Sequence, residues 1–377
     1  MMIQRRILLI SALLFTLSLT ALAQRVTIGS LTVKEGERMG QYKGEIVAGR
    51  PHGKGRVTFD NGDTYEGEFV KGKRQGHGVY SFSDGERYEG DWVQNKQHGR
   101  GIFYFQNDNR YDGLWYKDYQ QGHGVMYYYN GDIYDGNWQQ DKRSGEGKYT
   151  YSSGAFYVGQ WRNDMKDGKG TFNWGDGTEY TGQWKENKCH GKGEYKYANG
   201  ESYHGDWKND EQDGKGIYRF KNGDVYEGDY RQGEREGVGI FKYFNGDRYT
   251  GQFHEGLMEG QGTFVWSNGD RYEGLWKADK QHGKGRLVKR NGDIFDGNFK
   301  NGAIEGEVII HYHDGAKFRG TYVNGERHGK VIEVDKDGRR FEGTYNDGER
   351  DGEFVEKDRN GQIIARGRYV NGRRVEE

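Results

Sequence analysis

Pro51 is the only proline and Cys189 the only cysteine in 377 residues. A lone cysteine excludes an internal disulfide, so no covalent staple holds the fold. Aliphatic matter is scarce as well. Hydrophobic residues make up 32% of the chain and mean hydropathy is −1.13, which is poor provision for an ordinary packed core. There is no basic excess: the formal net charge is −1, against a nucleic-acid binder. Beyond the first residues no apolar run approaches the roughly 20 residues of a membrane-spanning helix.

What is abundant is glycine and aromatic side chains: 65 Gly, 29 Tyr, 18 Phe and 9 Trp. A glycine-rich polar chain can be disordered, but disorder gives no reason for rings to hold a fixed phase. Here an aromatic followed two residues later by Gly begins at 42, 65, 88, 111, 134, 157, 180, 203, 226, 249, 272, 295, 318 and 341, which makes 14 copies with a period of 23 residues. A fixed short period marks a repeat array, and it overrides the two or three domains that length alone suggests.

Counting the first aromatic as position zero, Gly falls at two, Trp or another ring usually at four, and Gly at eleven and thirteen. Rings recur at fifteen and seventeen, as in Tyr80 and Phe82 or Phe172 and Trp174. Both runs alternate with period two and are too short for helices, so each copy predicts two strands. If position four faces eleven across the hairpin, two faces thirteen and zero faces fifteen. Trp92 then lies over Gly99, Gly90 meets Gly101, and Tyr88 meets Phe103. The other face pairs positions three and twelve: Glu45 with Lys54, Glu68 with His77, Asp91 with Arg100, Asp206 with Lys215. Position seven is always Gly, Asn or Asp, residues that tolerate positive φ. The second turn, as at Asn61-Gly62, predicts a three-residue loop with its Gly left-handed. The fold class expected is all-β: an elongated, single-layer, twisted array of antiparallel β-hairpins, one hairpin per 23-residue repeat.

The ends differ. Arg5 and Arg6 precede an apolar run from Ile7 to Leu19 and then Ala21-Leu22-Ala23, the pattern of a signal peptide over residues 1–23, cleaved after Ala23. An uncleaved anchor is the second reading, disfavoured because the run is short. Cleavage leaves 55 basic against 58 acidic residues. The localisation expected is periplasmic or extracellular, in a bacterial setting. Residues 24–41, with Val26, Ile28, Leu31 and Val33, supply an N-terminal cap; 42–294 form the regular array. Residues 295–377 are divergent repeats and a C-terminal cap. There Phe295, Phe318 and Phe341 replace Tyr, and Val308, Val331 and Phe354 replace the second Gly. Glu333, Asp335, Glu356 and Asp358 replace rings, and a slipped copy begins at Ala365.

Tyr-x-Gly-x-Trp, Gly-x-Gly and Asn-Gly-Asp at this period resemble MORN repeats (membrane occupation and recognition nexus). The likeness is close over 42–294 and looser to about 350; stretches such as Asp347–Phe354 are similar to the variant MORN-type repeats of bacterial proteins. The resemblance implies an array of β-hairpins, non-enzymatic in itself, used for scaffolding, oligomerisation and protein contact, with phospholipid binding also proposed for the family.

No reaction chemistry stands out from the repeat. The Gly-x-Gly triplets precede no helix and so read as structural rather than phosphate-binding. His52, His98, His190, His282 and His328 share position ten, and His77 and His123 share position twelve. The position-ten set is two or more repeats apart, about 20 Å at the usual strand spacing, too far for a shared metal. Carboxylates recur on the charged face without a distinguished pair. Cys189 reads as an incidental exposed thiol in the first turn. No catalytic residue, metal site or cofactor is therefore expected. The candidate binding surface is the row Trp92, Trp115, Trp138, Trp161, Trp184, Trp207 and Trp276. The function expected is an exported, non-catalytic scaffold contacting a protein partner or another copy of itself, with no nucleic acid; a membrane or envelope-lipid surface is the alternative partner.

Overall fold

The computed structural model describes residues 25–375; the signal peptide expected over 1–23 lies outside them. Among the described residues there are 32 strands and no helix. From Tyr65 onward each regular copy gives a seven-residue strand over positions −1 to five, such as Arg87–Val93, and a nine-residue strand over positions eight to sixteen, such as Lys96–Tyr104. The chain forms two compact units, up to Tyr129 and from Asn130 onward. Within each, successive strands pair antiparallel. The first unit opens with Thr27–Glu35, paired to Arg38–Val47.

A sheet with no second layer still needs a core, and the motif tyrosines provide it. Tyr42, Tyr65, Tyr88, Tyr111, Tyr134, Tyr157, Tyr180, Tyr203, Tyr226, Tyr249 and Tyr272 all have 0% exposure. Each ring lies flat across two glycines, at positions two and thirteen, that face each other in the ladder, as Gly90 faces Gly101. A Cβ on Gly101 would sit 2.3 Å from the Tyr88 hydroxyl, and one on Gly90 would sit 2.4 Å from the Gly101 Cα. Burying about 200 Å² of ring at about 25 cal/mol per Å² contributes roughly 5 kcal/mol gross per copy. An exposed ion pair adds about 0–1 kcal/mol, so ring burial rather than charge pairing sets the register.

The expected pairing holds at positions zero with fifteen and two with thirteen: Tyr88↔Phe103, Gly90↔Gly101. It fails at four. Trp92 pairs with Gln97, not Gly99, and Trp161 pairs with Lys166. Turn geometry is the reason. Gln94 and Asn95 both have positive φ, 50° and 74°, which is a two-residue type I′ hairpin. Such a turn forces five against eight and four against nine. The glycine pair demands two against thirteen, two residues out of step. A β-bulge between positions two and four absorbs the difference. Gly99 sits on that bulge at φ 59° and pairs with Trp115 of the next copy. The glycine beneath each tryptophan thus belongs to the preceding repeat: Gly76↔Trp92, Gly168↔Trp184.

The bulge leaves backbone groups out of the ladder, and side chains take them up. The tyrosine hydroxyl donates to the position-three carbonyl, at 3.1 Å for Tyr88 to Asp91 and 3.0 Å for Tyr157 to Gln160. The position-three side chain accepts the N–H of position twelve: Lys54 to Glu45 at 3.0 Å, Arg100 to Asp91 at 3.1 Å, Lys215 to Asp206 at 3.0 Å. The predicted charge pairs are therefore backbone bonds within a copy. The ion pairs run to the preceding copy instead, as Lys192–Asp206 at 2.6 Å, Lys215–Asp229 at 2.5 Å and His77–Asp91 at 3.6 Å.

Turns are fastened copy to copy. Asn95 Oδ1 accepts the Arg74 N–H at 2.7 Å, and Asp118 Oδ1 accepts that of Gln97 at 2.8 Å. Pro51, which has no N–H to give, occupies a position nine whose facing turn carries Gly72 and no side-chain acceptor. The second turn is the three-residue loop expected: Gly62 at φ 91° donates to the Phe59 carbonyl, and Phe59 N–H donates to Asp63.

The divergent copies change ring and glycine together. Phenylalanine lacks the hydroxyl that crowds position thirteen, and a β-branched or aromatic side chain enters there. Val308, Ile310, Phe318, Val331, Phe341, Tyr345 and Phe354 form a buried cluster. This end is a repacked core.

Gly170→Ala should cost about 1–3 kcal/mol, because its Cβ would lie 2.3 Å from the Tyr157 hydroxyl. Combined with Tyr157→Phe, the loss should be smaller than the sum of the two single losses in a double-mutant cycle of thermal unfolding. Strictly additive losses would show that ring and glycine are not coupled.

Candidate binding surface

The seven tryptophans are placed inside the fold, at 3–6% exposure. The indoles of Trp92 and Trp161 wedge edge-on between tyrosines: Trp92 lies 5.2 Å from Tyr88 and 5.4 Å from Tyr65, and Trp161 lies 5.2 Å from Tyr157 and 5.4 Å from Tyr134. Trp138 stands 5.2 Å from Tyr134. The Nε1–H donates to the position-thirteen carbonyl of the preceding copy, from Trp92 to Gly78 at 3.2 Å, Trp115 to Gly101 at 3.1 Å, Trp184 to Gly170 at 3.1 Å, Trp207 to Gly193 at 3.3 Å and Trp276 to Gly262 at 3.2 Å. As contact residues they are out of a partner's reach while the repeat stays folded. They are a seam between copies, which follows from the bulge that shifts them onto the neighbouring glycine.

Position nine covers this seam. Arg74, 6% exposed, lies within a cage of Tyr65, Tyr80 and Trp92, with its guanidinium carbon 4.5 Å from the Trp92 ring centre. Arg143 over Trp161 and Lys166 over Trp184 repeat the arrangement at 4.5 and 4.4 Å. Burial pushes the Lys166 ammonium below the ordinary lysine range. Cys189 occupies the same position. It is 6% exposed, opposite Trp184 in a strand, so it is not the exposed turn thiol that its place in the sequence suggested. Burial, then the Asp210 carboxylate, pushes the thiol up to about 12. What reaches solvent from this face is the row at position seventeen. There Phe82, Trp174 and Trp266 are half-buried or exposed, each 4.5–4.6 Å from the ring two residues before it.

The opposite face gives the larger recess. In the second unit it curves around an open groove of about 1680 Å³, lined from Gln261 to Gly367. Aliphatic Ile309, Ile332 and Val355 run along it at position fourteen, among Asp296, Glu307, Glu342, Lys284, Arg286 and Arg319. Arg286 holds Asp296 through two bonds, 2.6 and 2.9 Å, and this pairing raises its pKa. Lys357 and Arg340 both reach Glu342, at 3.0 and 2.6 Å. The lysine's hydrogen bond holds that carboxyl below its usual range. The sequence reading gives this side only as the charged face, without a recess. The available signal was the aliphatic run Val308-Ile309-Ile310, where regular copies carry glycine first.

A second recess of about 500 Å³ opens on the ring side, where Glu333 replaces an aromatic. Its carboxylate accepts bonds from Arg327 at 2.8 Å, Arg350 at 2.5 Å and Tyr345 at 2.9 Å. That recess is an internal ion cluster. Among the described residues no group of three or more His, Cys, Asp or Glu is arranged to hold a metal.

The MORN repeat model matches residues 42–64, 65–87, 88–110, 111–133, 134–156, 157–179, 180–202, 203–225, 226–248, 249–271, 272–294 and 318–338. No curated protein matches the chain. Among solved structures, the SAS-4 (dCPAP) TCP domain of Drosophila melanogaster, in complex with a proline-rich motif of Ana2, is 18% identical, covering 46% of this chain and 81% of its own at TM-score 0.20. The wild-type TCP10 domain of Danio rerio CPAP is 11% identical, covering 71% and 99% at TM-score 0.16. A catalytically inactive virginiamycin B lyase from Staphylococcus aureus is 9% identical, covering 82% and 96% at TM-score 0.12. Superpositions this loose carry no functional reading.

The burial of Cys189 has a direct readout. A thiol reagent added to the folded protein should leave it unmodified at neutral pH, and reaction should begin only when denaturant opens the sheet. Prompt stoichiometric labelling of the folded chain would contradict the assigned packing.

Proposed function

The chain belongs to the MORN-repeat family, and we propose that it is an exported scaffold whose charged groove in the second unit takes an extended segment of a protein partner. MORN repeats are a non-catalytic scaffold, and this chain is a repeat scaffold of that kind. The observation that carries the finer reading is the groove lined by Ile309, Ile332 and Val355 among charges of both signs. Aliphatic side chains give a segment apolar contact. Lys284, Arg319, Glu307 and Glu342 fix its register through polar groups, as peptide-binding surfaces require. Mixed charge weighs against an anionic lipid surface, which selects a basic patch. Export rests on Arg5, Arg6 and the run Ile7–Leu19, and places the partner outside the cytoplasm.

A photo-crosslinking residue at Ile332 should give a discrete protein adduct in cells, and the same residue at exposed Val158 should not. The double variant Ile309→Asp, Glu342→Lys should abolish the adduct while leaving the circular dichroism unchanged. Lipid adducts alone, or equal adducts from both positions, would overturn the reading.

A further inference from the structure

Two strand edges in this protein are complementary halves of one repeat. The first strand, Thr27–Glu35, sets Gly29 against Gly44 and Leu31 against Tyr42. Between regular copies position thirteen meets two and fifteen meets zero, as Gly78↔Gly90 and Tyr80↔Tyr88. Gly29 and Leu31 therefore stand at positions thirteen and fifteen of a copy whose own first strand is not among the described residues. Among the described residues, no strand pairs with the other edge of Thr27–Glu35.

The far end of the second unit is the converse. The strand Ile363–Val370 sets Gly367 against Phe354 and Ala365 against Glu356. Gly367 and Ala365 stand at positions two and zero. The strand that follows, Arg373–Val375, pairs only with Arg368, Tyr369 and Val370. Among the described residues, Gly367 and Ala365 meet no strand on that side. One edge thus carries thirteen and fifteen without two and zero; the other carries two and zero without thirteen and fifteen.

Neither edge is strongly defended: Arg366 is the one charge within Ile363–Gly367. Thr27–Leu31 holds neither proline nor charge, the usual devices that keep an edge from pairing. Ile28 is 87% exposed, and Ile363 and Ile364 are 47% and 53% exposed.

We propose that copies of this chain associate head to tail, the Thr27–Glu35 strand of one copy adding antiparallel to the Ile363–Gly367 edge of another, with Gly29 opposite Gly367 and Leu31 opposite Ala365. The facing glycines allow the close backbone approach that every regular repeat uses. Arg373–Val375 already covers the edge beyond Gly367, so Thr27 and Ile28 peel away from the ladder and the contact is short. Association is accordingly weak and concentration-dependent. Because the two surfaces differ, addition does not stop at two copies unless a ring closes.

Light scattering on the purified full-chain protein should give a mean mass that at least doubles over a concentration series and grows past the dimer, and Leu31→Asp should return it to monomer. The register is tested by mixing two preparations, one carrying Leu31→Cys and the other Ala365→Cys. Mild oxidation should give an interchain disulfide in the mixture and in neither preparation alone; a disulfide within the Leu31→Cys preparation alone would mean edge-to-edge pairing of like strands and would overturn the proposal. Monomer at every concentration with no disulfide would also overturn it. Groove adducts at Ile332 are read separately, so either result leaves the scaffold reading to its own test.

Discussion

A tyrosine ring lying across two facing glycines is the contact on which each regular repeat depends. A single β-sheet has no opposing layer to bury its side chains. This one brings its own cover, in that each ring folds back over backbone bare of Cβ atoms and excludes water from the ladder. The hydroxyl makes the arrangement specific, because it reaches the position-three carbonyl at the point where the register slips. Where hydroxyl and glycine are both lost, at Phe318 with Val331 and Phe341 with Phe354, the pair changes together and the core is refilled by branched and aromatic side chains.

That contact conflicts with the hairpin that carries it. The type I′ turn and the glycine pair demand registers two residues apart, and the bulge reconciles them. Its consequences spread through the sheet. The tryptophan moves onto the preceding copy's glycine, the position-three side chain is taken up by a backbone N–H, and ion pairs cross between copies. Neighbouring repeats are thereby joined through indole bonds, turn carboxylates and cation stacking such as Arg74 on Trp92. One face is consumed by these internal contacts. The other is left to present charges and aliphatic side chains in the groove.

Much of this was legible in the sequence. The period, the two strands per copy, the ring-and-glycine face and the second turn follow from spacing and residue type alone. The bulge did not, for a simple reason: a slip of two residues preserves the alternation of faces, so parity cannot detect it. Trp92 was placed on the right face but over the wrong glycine. Cys189 was read as a turn residue because the loop was drawn too long, whereas a two-residue turn puts position nine in the strand. The groove depends on how the sheet coils over many strands, and no local pattern encodes that.

The most direct test of the ring-over-glycine core is an alkaline titration that follows tyrosinate absorbance and sheet circular dichroism together. Burial pushes the phenols of Tyr65, Tyr88, Tyr157 and their counterparts well above the ordinary value of about 10. A folded-state pKa raised above the unfolded one gives stability that is full below pH 10 and is lost as pH rises through the folded values. The absorbance of the motif tyrosines should then appear late, in one step with the loss of sheet signal. Ionisation of all 29 tyrosines near pH 10 while the sheet signal persists would contradict the account.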